Sequence, residues 1–204
     1  NEFIHSARLD NQAMCHAALT GLLDSAGGGG HTAVVALFDH EEVGSGSARG
    51  AAGSLLRDVL ARVSGDGESL RRAVARSLLV SADMAHAVHP SRGDRHDGEH
   101  LPRINGGPVI KTHVGQRYAT DARTGAAFRS LCDDADVPYQ EFVVRQDIPC
   151  GSTIGPISAA ELGMPTVDVG NAMLSMHSPR EMAGAEDPAL MNRVLTAFLG
   201  EGRM

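Results

Sequence analysis

"TAVVALFDHEEVGSGSARG", residues 32–50, changes character at its middle. The stretch from Thr32 to Phe38 is apolar and rich in β-branched side chains, which predicts a short buried strand. Gly44 and Gly46 then let the chain turn tightly. Beyond them, Leu55, Leu56, Val59, Leu60 and Val63 recur with helical spacing, which predicts a helix over 47–63. Strand, turn and helix in that order form the first unit of an α/β chain. Two adjacent carboxylates, Glu41 and Glu42, stand where the strand runs out.

Outward from this stretch the alternation continues. Met14, Ala18 and Leu22 place a helix over 9–25, which the glycine run at 27–30 ends. A short helix over 69–77 precedes the apolar "SLLVSADMA" (77–85), which reads as a strand. "PVIKTHV" (108–114), "QEFVVRQ" (140–146) and "TVDVG" (166–170) read as further strands, with a helix over 120–134 among them. "DPALMNRVLTAFLGE" (187–201) reads as a closing helix that starts at Asp187 and Pro188. Residues 89–107 are rich in Pro, Gly, Arg and His and form a long loop, a type of segment that often carries function. There is no internal repeat and no linker between domains. The alternation predicts an α/β fold, a mostly parallel sheet with helices on both faces. Ligands of such sheets collect beyond the carboxyl ends of the strands.

Composition narrows the function. The 204 residues suffice for one domain with a real core, and 42% of them are hydrophobic. A formal net charge of −7 argues against nucleic acid as a partner, because phosphate binding needs surplus Lys and Arg. No apolar run approaches the roughly 20 residues of a membrane-spanning helix, so no membrane partner is expected. Cys15, Cys132 and Cys150 are an odd set without paired spacing, which suits a reducing cytoplasm better than a disulfide framework. Lys111 is the single lysine.

Acidic and histidine side chains stand at the predicted strand ends. Glu41 and Glu42 follow the first strand, Asp83 follows the second just before His86, and His177 comes shortly after "TVDVG", which itself carries Asp168. Asp10 stands at the head of the first helix. Carboxylate oxygen and imidazole nitrogen together suit a divalent metal such as zinc, and a dication would relieve the repulsion among converging carboxylates. Each residue also has a plainer role open to it. Asp10 and Asp83 could cap helices. Glu41 and Glu42 could favour a helix dipole. Asp168 could bond a backbone amide, and His177 could be an ordinary hydrogen-bonded histidine. Adjacent residues point in different directions. One glutamate can therefore ligate a metal while the other takes the proton of a water and hands it to a leaving amine. That division suits amide hydrolysis.

The motifs "NEFIHSARLDN" (1–11), "DHEEVGS" (39–45), "SADMAHAVHP" (81–90), "GPVIKTHVGQRYAT" (107–120), "PCGSTIGP" (149–156) and "MHSPREM" (176–182), in this order, resemble the aspartyl aminopeptidase family of two-zinc metallo-aminopeptidases. His40 stands where that family often has Asn. The resemblance implies a carboxylate bridge between two zinc ions at Asp10, a general base at Glu41, and ligands at Glu42, Asp83 and His177. One ion would use Asp10, Glu42 and His177. The other would use Asp10, Asp83 and a histidine far upstream that has no counterpart here, so one ligand set is expected to be incomplete. His86, Lys111 and Tyr118 match substrate-contacting positions. Lys111 would pair with an acidic side chain, and Tyr118 or His86 would stabilise an oxyanion.

The implied substrate is a peptide with an N-terminal Asp or Glu. The full-length protein is expected to be a homo-oligomer. Residues 1–204 are expected to be the C-terminal part of a catalytic domain, with the upstream catalytic segment and a dimerisation domain absent. Two alternatives stay open: an aminopeptidase of other N-terminal specificity, and an inactive fragment with an incomplete metal site.

Overall fold

The computed structural model describes residues 1–25 and 30–201. Most of the glycine run at 27–30 therefore lies outside the described residues. The strands are β1 (Phe3–Ser6), β2 (Leu79–Ala82), β3 (Ala85–His86), β4 (Val109–Thr112), β5 (Gln140–Val143), β6 (Thr166–Gly170), β7 (Ala172–Leu174) and β8 (Glu181–Gly184). The helices are α1 (Leu9–Asp24), α2 (Leu55–Ser64), α3 (Gly67–Val74), α4 (Ala122–Asp134), α5 (Ile154–Leu162) and α6 (Asp187–Glu201).

The strands form two four-stranded sheets, ordered β2-β6-β4-β5 and β1-β8-β7-β3. The α/β class holds, with mixed pairing inside it. β2 with β6, β3 with β7 and β4 with β5 run parallel. β1 with β8, β4 with β6 and β7 with β8 run antiparallel. β7 and β8 are joined by a short turn, and short connections join only antiparallel neighbours.

One ladder ties the two sheets together. β2 and β3 run beside β6 and β7, and between the strands the Asp83 amide still donates to the Val169 carbonyl at 2.9 Å and the Ala85 amide to the Asn171 carbonyl at 2.9 Å. Between the two strands, the backbone approaches Gly170 so closely that a Cβ there would lie 1.8 Å from the Asp83 carbonyl oxygen. Only glycine permits this contact.

Helices cover both faces, as the alternation predicts. Val167 and Val169 of β6 join Met14 and Ala17 of α1, Phe128 and Leu131 of α4, and Met191 and Val194 of α6 in one core. Asp168, between the two valines, points the opposite way, toward α5, where a Cβ on Gly155 would meet its carboxylate at 2.2 Å. Cap chemistry sets two helix starts. Asp66 accepts the Glu68 and Ser69 amides ahead of α3, and Asp121 forms a reciprocal capping box with Thr124 ahead of α4.

Two expectations fail. Residues 32–38 form no strand: Leu37 and Val34 are exposed, and no described strand pairs with the segment. β-branched composition favours a strand through packing against cross-strand neighbours, and this segment pairs with none of the described strands. The helix expected over 47–63 begins only at Leu55, because residues 47–54 are used in turns that return to Ser45 and Gly50. Its apolar spacing is real, yet Leu55, Val59 and Val63 are exposed, since α2 packs chiefly on α3 among the described elements.

Asp168 is fully buried. Its carboxylate accepts Ser81 Oγ (2.6 Å), Thr153 Oγ1 (2.7 Å) and the Ala119 amide (2.6 Å). It thus joins β2, the approach to α5 and the 113–120 loop, which is the plain amide-bonding role rather than a place in the acidic cluster. Asp168→Ala strands three donors, and unfolding should become easier by about 3 kcal/mol. Asp168→Asn should cost less, because the two hydroxyls can rotate and accept from its amide. Urea unfolding of the two variants checks this order.

Candidate active site

The side chains singled out in the sequence, by position or by resemblance, converge on one cleft of about 740 Å³. Asp10, Glu41, Glu42, Asp83, His86, Lys111, Tyr118 and His177 all line it. Three of them meet directly. His177 Nε2 is 3.0 Å from Asp10 Oδ2 and 3.0 Å from Glu42 Oε1. Ligand atoms of Asp10, Glu42 and His177 lie within 4.8 Å of one another, close enough to hold one metal ion. Asp83 meets Asp10 carboxyl to carboxyl. Among the described residues, Asp10 and Asp83 find no third ligand to make a second such group.

Local backbone structure aims these groups. The Asp10 cap reading does not hold. Arg8, not Asp10, occupies the cap position of α1, and Asp10 keeps an extended backbone (φ −80°, ψ 107°) at the helix start. Next to it, the Asn11 side-chain amide donates to the Ala82 carbonyl at 3.0 Å, which holds Asp10 against the end of β2 and so against Asp83. Glu41 and Glu42 sit in a tight turn closed by Gly44 N–H to the Glu41 carbonyl at 2.8 Å, with Gly44 at φ 96°. His40 before them is left-handed, at φ 62°. His is among the non-glycine residues that adopt that conformation more readily than most. His177 lies in the turn between β7 and β8, also left-handed at φ 66°.

The electrostatics favour a cation. Burial, then the Asp83 and Glu42 carboxylates, push the Asp10 carboxyl up to about 7, and His177 only partly offsets them. Burial, Asp83 and Glu42 also raise Glu41, against Lys111 and His177. A divalent ion would remove this repulsion directly, so the donors present fit zinc. His177 and Glu42 remain about 60% and 59% exposed, so the cluster is open to an incoming ligand.

Aromatic side chains line the cleft as well. Phe142 of β5 stands between Tyr118, His86 and His96, with ring centroids 6.2, 6.5 and 5.8 Å away. Burial keeps Tyr118 protonated far above its ordinary range, with its hydroxyl paired to Cys150. Burial in the cleft walls, then Lys111 and His96, lower His86. From the long loop, His89, Arg92 and Arg95 complete the rim.

Lys111 behaves differently from its expected role. It is 2% exposed, and its ammonium donates to the Asp83 and Met84 carbonyls at 2.9 and 3.3 Å. It also lies 3.8 Å from Asp83 Oδ2 and 5.3 Å above the Tyr118 ring. These two carbonyls belong to the residues that link β2 to β3. Sequence reasoning missed Glu181, in the same "MHSPREM" stretch as His177. It is buried, and its spacing from His177 was the available signal.

Comparison with known proteins agrees with this geometry. The sequence model described as "Aminopeptidase I zinc metalloprotease (M18)" matches residues 1–199. A "Probable M18 family aminopeptidase 2" from Ectopseudomonas mendocina is 54% identical over 197 residues, which is 97% of this chain and 46% of the relative. The counterpart from Pseudomonas paraeruginosa is 51% identical over 204 residues, 100% of this chain and 47% of its own length. The chain therefore spans about half the length of the relatives it matches. Among solved structures, the "Cryo-EM structure of the Ape4 and Nbr1 complex" superposes with a TM-score of 0.93 at 42% identity, over 98% of this chain and 40% of that one. The "Structure of S. cerevesiae mApe1 dodecamer" gives 0.84 at 30% identity, over 97% of this chain and 45% of that one. With its sequence matched from end to end and its acidic cleft built on the same fold, the chain belongs to the M18 family of aminopeptidase I zinc metalloproteases.

Proposed function

We propose that the protein is a metallo-aminopeptidase that removes N-terminal Asp or Glu from peptides with two zinc ions. The observation that carries this is the convergence of Asp10, Glu42 and His177 within one metal's reach, with Asp83 against Asp10 and Glu41 beside Glu42. Asp10, Glu42 and His177 would hold one ion, and Asp10 and Asp83 would contribute to the second. Bound zinc would polarise the scissile carbonyl and lower the pKa of water. Glu41, raised by burial and its acidic neighbours, would take the proton of the attacking water and deliver it to the leaving nitrogen. Tyr118 and His86, which also line the cleft, would donate to the developing oxyanion.

Arg95 in the cleft lining, with Arg92 beside it in an exposed ion pair with Asp94 at 3.2 Å, supports an acidic side chain in the substrate. Lys111 supports that preference less, since its ammonium is engaged with two carbonyls. That engagement favours a second specificity, for a non-acidic N-terminal residue. The three free cysteines fit a cytoplasmic location. The yeast relative assembles as a dodecamer, which supports a homo-oligomer for the full protein.

Three outcomes test these assignments in the native polypeptide that carries this chain. Glu41→Gln should lower kcat by roughly 10²- to 10⁴-fold while zinc content by elemental analysis stays at the wild-type value. Asp10→Asn should lose zinc from both positions, seen as near-zero metal after dialysis. On aminoacyl chromogenic substrates, aspartyl and glutamyl derivatives should be cleaved faster than leucyl; faster leucyl hydrolysis would support the second specificity.

A further inference from the structure

Glu181 opens β8 and is 2% exposed. A buried carboxylate persists only where hydrogen bonds replace its water. Both of its oxygens are committed to backbone donors of the candidate metal ligands. Oε2 accepts the Asp10 amide at 3.0 Å, and Oε1 accepts the His177 amide at 2.7 Å. Neither amide belongs to a strand ladder, because Asp10 lies beyond the end of β1 and His177 in the β7–β8 turn.

The sheet puts Glu181 at the one place where it can reach both. It pairs with Ser6 on β1, from which the chain departs toward Asp10. On its other side β8 pairs with β7, and the intervening turn carries His177. The two ligands come from opposite ends of the chain, and one side chain anchors both backbones. Their side chains then meet at 3.0 Å. The anchor also holds His177 in its left-handed conformation, which a non-glycine residue keeps only when its surroundings impose it.

We propose that Glu181 is a positioning residue for the metal site: it clamps the Asp10 and His177 amides and so sets the separation of their ligand atoms without touching the metal. This rests on the metal reading above. Groups that orient metal ligands matter for affinity nearly as much as the ligands do. Gln at this position keeps the size but has a single acceptor oxygen, so one of the two amides faces an NH₂ group.

Zinc affinity is measured by chelator competition on the native full-length polypeptide, with wild type, Glu181→Gln, Glu181→Asp and Asp10→Asn compared. Glu181→Gln should bind zinc roughly 10- to 100-fold more weakly, yet reach the wild-type stoichiometry at saturating zinc. Asp10→Asn should not reach it. Glu181→Asp keeps both acceptor oxygens one methylene short and should fall between wild type and Gln; it carries the test if the Gln variant does not fold. Wild-type affinity in both Glu181 variants overturns the clamp and leaves the metal reading standing. Loss of stoichiometry in Glu181→Gln overturns it as well, by making Glu181 a ligand. A wild-type protein that binds no zinc overturns the metal reading and the clamp with it.

Discussion

Carboxylates repel, and a chain that gathers several of them must hold each one by its backbone. That constraint shapes the cleft. Asp10 has Asp83 and Glu42 as neighbours, and burial together with their repulsion lifts its carboxyl to about 7. Hydrogen bonds to the backbone and nearby side chains resist the drift apart. Glu181 holds the Asp10 and His177 amides. Asn11 fastens its neighbour to the end of β2. The 41–44 turn fixes the paired glutamates. None of these contacts neutralises the cluster, and the Lys111 ammonium, 3.8 Å from Asp83, offsets only part of its charge, so a divalent ion would be favoured there.

Lys111 sits where the two sheets join. Between β2 and β3 the Asp83 and Ala85 amides still donate to Val169 and Asn171, but the Asp83 and Met84 carbonyls turn toward Lys111. In a buried site such groups must find a donor. The lone lysine supplies it, and Gly170 gives the backbone room to approach. The Asp83 side chain lines the cleft. A buried lysine beside the acidic cluster thus shapes the ligand geometry. A rare residue in a sequence invites a substrate role, but rarity says nothing about what its charge is already bonded to.

Much of this was legible from periodicity and spacing. α1, α4, β6 and α6 fall within a residue or two of their expected positions, because each has a face that the core covers. "TVDVG" is matched end to end since it is buried on both sides. Asp83 does follow a strand, but Glu41 and Glu42 follow a segment that forms none and Asp10 stands at a helix start, so the strand-end pattern drew attention to acids whose grouping the fold supplies. What was not legible depends on partners. Residues 32–38 have strand chemistry without a strand to join, and α2 has an apolar stripe that stays exposed. β7 and β8 are too short for periodicity to register. Glu181 could be read only as another acid, for its meaning lies in which two amides it reaches across the fold.

The cleft lining carries charges of both signs, and this bears on how a peptide would lie in it. Asp10, Glu41, Glu42 and Asp83 bring carboxylates to the lining, while Arg95 and the Asp94-paired Arg92 bring guanidinium groups. A peptide terminus with an ammonium and an acidic side chain carries both charges a few bonds apart. Under the aminopeptidase reading, the acidic side chain would lie toward the arginines and the scissile end toward the carboxylate cluster. An internal peptide segment has no such ammonium and would leave the carboxylates unmatched, apart from any metal bound there. Lys111 contributes to that polarity from beneath: its ammonium is bonded to the backbone, but its charge still lowers the Glu41 carboxyl against the acids around it.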